Sequence, residues 1–149
     1  MTQVFYSMLF TGKLASVEGV DNQRNGKLAA QSSRITSVAG LGGIRGSIEP
    51  IEGEETVFES LITMTERGIF QEHGSIAFGS NGNTLTFTTL GAGHIGPSAE
   101  SGVNQGAVIF RVEGGEGQFE GATGLITSNF TTTRAGDVVD HQFGVIYTG

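Results

Sequence analysis

The chain has 149 residues, with eight basic and fifteen acidic side chains and a net charge of −7. That surface repels phosphate backbones, and the basic residues scatter from Lys13 to Arg134 without forming a patch, so neither nucleic acid nor an anionic membrane is an expected partner. Cysteine is absent, which excludes disulfides, thiolate metal sites and cysteine nucleophiles, and 25 glycines against two prolines suit many short strands joined by tight turns in one domain over 1–149.

The opening MTQVFYSMLFTGKL has no basic region, and polar residues interrupt its apolar ones. No export signal is expected, and the reading is cytoplasmic. No apolar run approaches the ~18 residues of a membrane helix. From there onward, period-two alternation predicts strands at 2–15, 25–38, 56–67, 69–79, 83–90, 106–113, 124–134 and 138–148. Most connections are short. Asn81-Gly82 is a hairpin signal, because both residues tolerate positive φ. Two connections are long and glycine-rich, Ala39–Glu55 and Gly91–Gln105, and read either as lids or as disordered tips.

The second long connection contains Gly91-Ala-Gly-His-Ile-Gly96, which fits the G-x-G-x-x-G dinucleotide fingerprint. That fingerprint needs a helix N-terminus to receive the pyrophosphate charge. The next ten residues, Pro97 to Gly106, have two more glycines and no helical apolar stripe. The segment therefore reads as a loop between antiparallel strands, and no nucleotide cofactor is expected. The three histidines, at 73, 94 and 141, lie on separate segments without ligand spacing, so no metal is expected either.

About eight antiparallel strands in succession predict an all-β fold, an eight-stranded antiparallel barrel, with a β-sandwich as the alternative. A barrel of that size holds packed side chains or one small ligand. Sorting each strand by period two suggests what lines the interior. Phe58, Ile62 and Met64 share a face with Ser60 and Glu66. Phe70, Ile76 and Phe78 share one with Glu72, and Leu85 and Phe87 with Thr89. Val108, Phe110 and Val112 form a fourth apolar face. On the last strand Val139, Phe143, Val145 and Tyr147 group with His141. The first strand is ambiguous, with Tyr6, Met8 and Phe10 opposing Phe5 and Leu9. Whichever of those two faces lies outside is apolar, which suggests a homo-oligomer, a dimer or trimer, unless a long loop covers it.

Gly115-Glu-Gly-Gln-Phe119-Glu-Gly-Ala-Thr-Gly124, leading into the alternating strand Leu125–Thr133, has the pattern G-x-G-x-F-x-G-A-x-G. It resembles a segment of the allene oxide cyclase-like and dirigent-like small barrel proteins. Locally, the glycines allow a sharp bend between strands, and Phe119 is placed to plug one barrel end. The resemblance implies a calycin-like eight-stranded barrel with a cavity for a small apolar molecule. It implies activity only loosely, since the group includes cyclases, guides of radical coupling and proteins with no assigned reaction.

Two functional readings are open. In the first, the protein is a cofactor-independent cyclase or isomerase of a small apolar metabolite. The polar groups on the apolar faces, Glu72, Glu66, His141, Tyr6 and Tyr147, are then the catalytic candidates. Phe58, Met64, Phe70, Phe87, Phe110, Phe143 and His94 (the last at the cavity mouth) are the ligand-binding candidates. A buried glutamate would hold its proton to higher pH and could serve as general acid or base. In the second, the barrel binds a hydrophobic ligand or is purely structural, its interior filled by the ten phenylalanines, with the glutamates in solvent at the rim and His141 a structural side chain. A cavity above roughly 300 Å³ holding a buried carboxylate favours the first.

Overall fold

The alternating segments fold as eleven strands, described over all residues Met1–Gly149 by a computed structural model. In chain order they are β1 (Thr2–Val17), β2 (Val20–Ala30), β3 (Ser33–Gly40), β4 (Gly43–Pro50), β5 (Thr56–Glu66), β6 (Ile69–Phe78), β7 (Asn83–Thr89), β8 (Gly93–Pro97), β9 (Val103–Glu116), β10 (Thr123–Thr133) and β11 (Asp137–Thr148). The ladder runs β1-β2-β5-β6-β7-β9-β10-β11 and returns to β1, every pairing antiparallel. This is a closed eight-stranded antiparallel barrel with no free sheet edge in its wall.

Two segments read as long loops contain strands. Residues 33–50 form a two-stranded hairpin, β3–β4, with Ile35 opposite Ile48 and Gly43 at φ +97° just after the turn. It leaves the barrel as an arm and contacts the body chiefly at β1. The strand expected at 25–38 is consequently two strands, β2 and β3. Every residue of β4 is exposed, so no buried face imposed the alternation that would have made this strand legible. The other segment holds β8, which takes over the place of β7 beside β6 and β9, pairing His94 with Ile69 and with Ala107. The GAGHIG segment thus becomes a turn and a short strand rather than a helix start.

Register decides which face of each strand looks inward, since side chains directly opposite in a ladder lie on the same side of the sheet. On β1 the inward set is Tyr6, Met8 and Phe10, while Phe5 is 79% exposed. Asp140 of β11 stands opposite Phe10 on one side and Phe130 on the other. That pairing turns Val138, Asp140, Gln142 and Ile146 inward and sends Val139, His141, Phe143, Val145 and Tyr147 to the outer face. The sequence-based phase of this strand is therefore reversed. Its outer face carries more apolar residues than its inner one, so counting hydrophobicity selects the wrong side.

The barrel's waist is an aromatic layer. Phe10, Phe58, Phe87 and Phe110 are almost wholly buried, with ring centroids 4.3 Å apart for Phe87–Phe110, 5.0 Å for Phe58–Phe87 and 5.6 Å for Phe10–Phe58. One end is closed by the segment that carries the G-x-G-x-F-x-G-A-x-G pattern. A 3-10 turn over Gly117–Phe119 drops Phe119 onto Phe78, centroids 4.9 Å apart, and Tyr6 meets the same Phe78 edge-on. Gly124 then re-enters the wall at φ +144°, where a Cβ would stand 2.3 Å from the Val145 carbonyl oxygen, so only glycine fits. Phe119→Ala should unplug this end. We expect a loss of about 3–4 kcal/mol and a Tm lower by roughly 10 °C in thermal and denaturant unfolding. A change below about 1 kcal/mol would show that Phe119 closes nothing.

Candidate functional site

The other end of the barrel is not filled. Beyond the Phe58 ring the interior opens into a cavity of about 350 Å³, walled mainly by Leu28, Ile62, Met64, Phe70, Phe130 and Val138. Inward positions of β6 and β11 bring two carboxyl groups, Glu72 and Asp140, into this apolar wall, where both are buried. Arg24, Asn104 and Thr132 also line it.

The two acids are held differently. Glu72 Oε1 accepts a 2.6 Å hydrogen bond from the Ser60 hydroxyl on the neighbouring strand. Asp140 accepts two, from Ser128 Oγ at 2.7 Å and from Gln142 Nε2 at 2.8 Å. Gln142 in turn accepts from the Tyr6 hydroxyl at 2.8 Å. Tyr6, Gln142, Asp140 and Ser128 thus form one buried chain in which each side-chain polar group meets a partner.

Burial dominates the proton affinities. It pushes Glu72 up to about 8, against the lowering effect of Ser60 and with a further upward push from the charge of Asp140. It pushes Asp140 up to about 6, with Gln142, Ser128 and the adjoining His141 opposing. The Tyr6 hydroxyl is raised as well, first by burial and then by Asp140. Near pH 7 the cavity therefore holds a neutral carboxylic acid, Glu72, beside a mostly ionised carboxylate, Asp140. Unequal environments have separated two acids into a proton donor and a proton acceptor.

The structure sorts the candidates read from sequence. Glu72, Phe58, Met64 and Phe70 line the cavity. Phe87 and Phe110 are buried in the aromatic layer and are absent from its lining. Tyr6 points inward but belongs to the plugged end and reaches the acids only through Gln142. Glu66 is exposed, because β5 has a register irregularity between Met64 and Glu66 just where it leaves the wall. Tyr147 and Phe143 face outward with the rest of the outer face of β11. His94 and His141 also lie outside. They share an open, shallow groove of about 800 Å³ with Arg67, Gln105 and Asn129. That groove is the larger concavity, but it holds neither buried carboxyl, so the interior cavity is the candidate site.

Asp140, Gln142, Ser60, Ser128 and Arg24 were not among the sequence candidates. Asp140 and Gln142 sit on the less apolar face of β11, where a hydrophobicity count hides them. Their signal is relational: once Phe10 is placed inside, its ladder partner Asp140 must be inside too. No three His, Asp or Glu side chains converge in a way that could hold a metal ion, and no helix is long and apolar enough to cross a membrane. Compared with known protein families, with curated proteins and with solved structures, the chain matches none.

The raised acids set the direction of a pH effect. A carboxyl whose folded pKa exceeds its unfolded value binds its proton more tightly when folded, so it favours folding most at low pH and loses that contribution as pH rises. For Glu72 the loss runs from about 4.5, the ordinary value, to about 8, and for Asp140 from 3.8 to about 6. Stability should therefore decline from pH 5 to pH 9. Glu72→Gln, which keeps a neutral group of the same shape, should flatten that decline and stabilise the protein at pH 9 by on the order of 3 kcal/mol. Unfolding midpoints across pH would check this, and equal pH slopes for both proteins would show that Glu72 is not a buried neutral acid.

Proposed function

We propose that the barrel is a cofactor-independent cyclase or isomerase acting on a small, largely apolar metabolite in the interior cavity. The observation that carries the reading is the pair of buried carboxyl groups, one protonated and one ionised near pH 7, in an apolar cavity of about 350 Å³. Asp140 would take a proton from the substrate and Glu72 would give one to another atom of it. An isomerisation by proton transfer needs no more than that pair. The apolar walls would fold the substrate and exclude water, so that developing charge meets the fixed dipoles of Ser60, Ser128 and Gln142. The barrel and its plugging segment agree with the allene oxide cyclase-like resemblance at the level of fold, and the cyclase reading draws on that resemblance in part.

Native mass spectrometry of the purified protein, with mass analysis of what denaturation releases, is the first test. A bound polyketide-, terpenoid- or fatty-acid-like molecule is the expected result. Its turnover should give a bell-shaped kcat/KM profile with limbs near pH 6 and pH 8, the values of Asp140 and Glu72. Asp140→Asn and Glu72→Gln should each lower the rate by about 10²–10⁴-fold. A released molecule that the protein leaves unchanged would favour a second reading, a non-catalytic carrier or structural barrel. The aromatic layer supports that alternative, since it already fills the waist.

We also propose that the working form is a homo-oligomer, in which the β3–β4 arm of one copy packs on the outer wall of another. The arm exposes Val38, Leu41 and Ile44, and a lone two-stranded hairpin is marginally stable in water. The wall exposes Phe5, Leu125 and Phe143 on neighbouring strands, with Phe5 and Leu125 flanking Val145 in one ladder row. Charge also suits the pairing: segment 33–50 carries Arg34 and Arg45 against one acid, Glu49, in a chain of net charge −7. Light scattering should give a dimer or trimer for the intact chain, and a monomer of nearly unchanged Tm once residues 34–49 are replaced by a short turn. An intact chain that runs as a monomer would overturn this.

A further inference from the structure

Arg24 is the one cation in the lining of the interior cavity, and no carboxylate lies within ion-pair distance of it. Its inward position comes from parity, since Gly26 and Leu28 on the same face of β2 are buried and line the same space. One guanidinium nitrogen, Nη1, donates to the backbone carbonyls of Asp21, at 3.0 Å, and Gln23, at 2.6 Å. These bonds anchor the head at the end of β2 and leave the other guanidinium donors without a protein acceptor. Lys13, Lys27 and Arg111 each have an acidic neighbour, while Arg34, Arg45, Arg67 and Arg134 share with Arg24 the lack of one. What sets Arg24 apart is that it alone of these lines the interior cavity. In a chain with fifteen acids, a half-buried arginine at a cavity mouth without an acidic partner is a site for an anion supplied from elsewhere.

The ladder also gives the direction of approach. Arg24 is opposite Ile62, and Ile62 is opposite Glu72. Two strand spacings separate the backbones of Arg24 and Glu72 by about 10 Å, and the Arg24 head, held back against Asp21 and Gln23, leaves that gap to the ligand. An anionic head at Arg24 would leave the adjoining carbons of the ligand in front of Glu72 and its apolar remainder against Phe58, Phe70 and Phe130. The opposite orientation would drive the anion against Asp140, which repels it.

We infer that Arg24 is the head-group site of the cavity, and that its ligands carry a carboxylate or enolate on an apolar body. This inference rests on the interior cavity being a ligand site, and the probes separate the two ideas. Octanoic acid and 1-octanol share an eight-carbon chain and differ in the charge of the head. At pH 7 and low salt, calorimetric titration of the full-length protein should show octanoate binding about tenfold more tightly than 1-octanol. Arg24→Gln should bring the two within about twofold by weakening octanoate alone, Arg24→Lys should keep part of the preference, and Lys27→Gln, on the outer surface, should change neither. If 1-octanol binds and octanoate binds no better, or if Arg24→Gln leaves the preference intact, the cavity stands and the head-group assignment falls. If neither probe binds, the cavity reading fails and takes this inference with it. Arg24→Gln removes a half-buried side chain near the start of β2 rather than a core one, and an unchanged circular dichroism spectrum and Tm establish that a lost preference is not lost folding.

Discussion

The antiparallel ladder between β1 and β11 governs what the interior contains. It joins the first and last strands, closes the barrel, and places Asp140 opposite Phe10. Phe10 belongs to the aromatic layer and has no alternative to the inside. Because side-chain period in a strand is two, that single placement commits every residue of β11: Gln142 and Ile146 inward, His141 and Tyr147 outward. A one-residue slip would bury more apolar surface from β11 itself, but it would break the pairing with β10, whose Ile126 and Ser128 share the same inward phase. The closed ladder therefore imposes a buried aspartate that β11 alone would not choose.

Burying that aspartate has a cost, met by local bonding. Asp140 keeps two donors, and the glutamine between it and Tyr6 is satisfied at both ends. Glu72 has a single serine donor and no cation, so it resolves the same problem by holding its proton. The difference between the two acids follows from the extra hydrogen bond Asp140 receives, with the adjoining His141 lowering Asp140 further and the charge of Asp140 raising Glu72. It is also what separates them into donor and acceptor, since burial alone would have raised both.

The division of the barrel into a filled waist, a plugged end and an open end comes from where the bulky residues fall. Four phenylalanines meet at one level, and Phe119 enters from the connection before β10. At the open end the inward positions of β2 and β10 carry Gly26 and Ser128, and this shortage of volume leaves the cavity. The carboxyl groups sit where the aromatic layer stops, at the boundary between packed core and ligand space.

The all-β class, the number of wall strands, the plugging role of Phe119 and the inward placement of Glu72 were legible in the chain itself. Each depends on local alternation or on a glycine-bounded turn, and such patterns survive in one dimension. The outward turn of His141, Phe143 and Tyr147, the arm at 33–50 and the partnership of Asp140 with Glu72 were not. The more apolar face of β11 is its outer one, and no face of β4 is buried, so neither strand's own pattern could reveal its role. Glu72 and Asp140 lie 68 positions apart and share a cavity only because the ladder closes. Sequence determined the eight strands of the wall and most of the turns between them. Tertiary structure alone decided which face of β11 looks inward, because that choice belongs to the register between neighbouring strands.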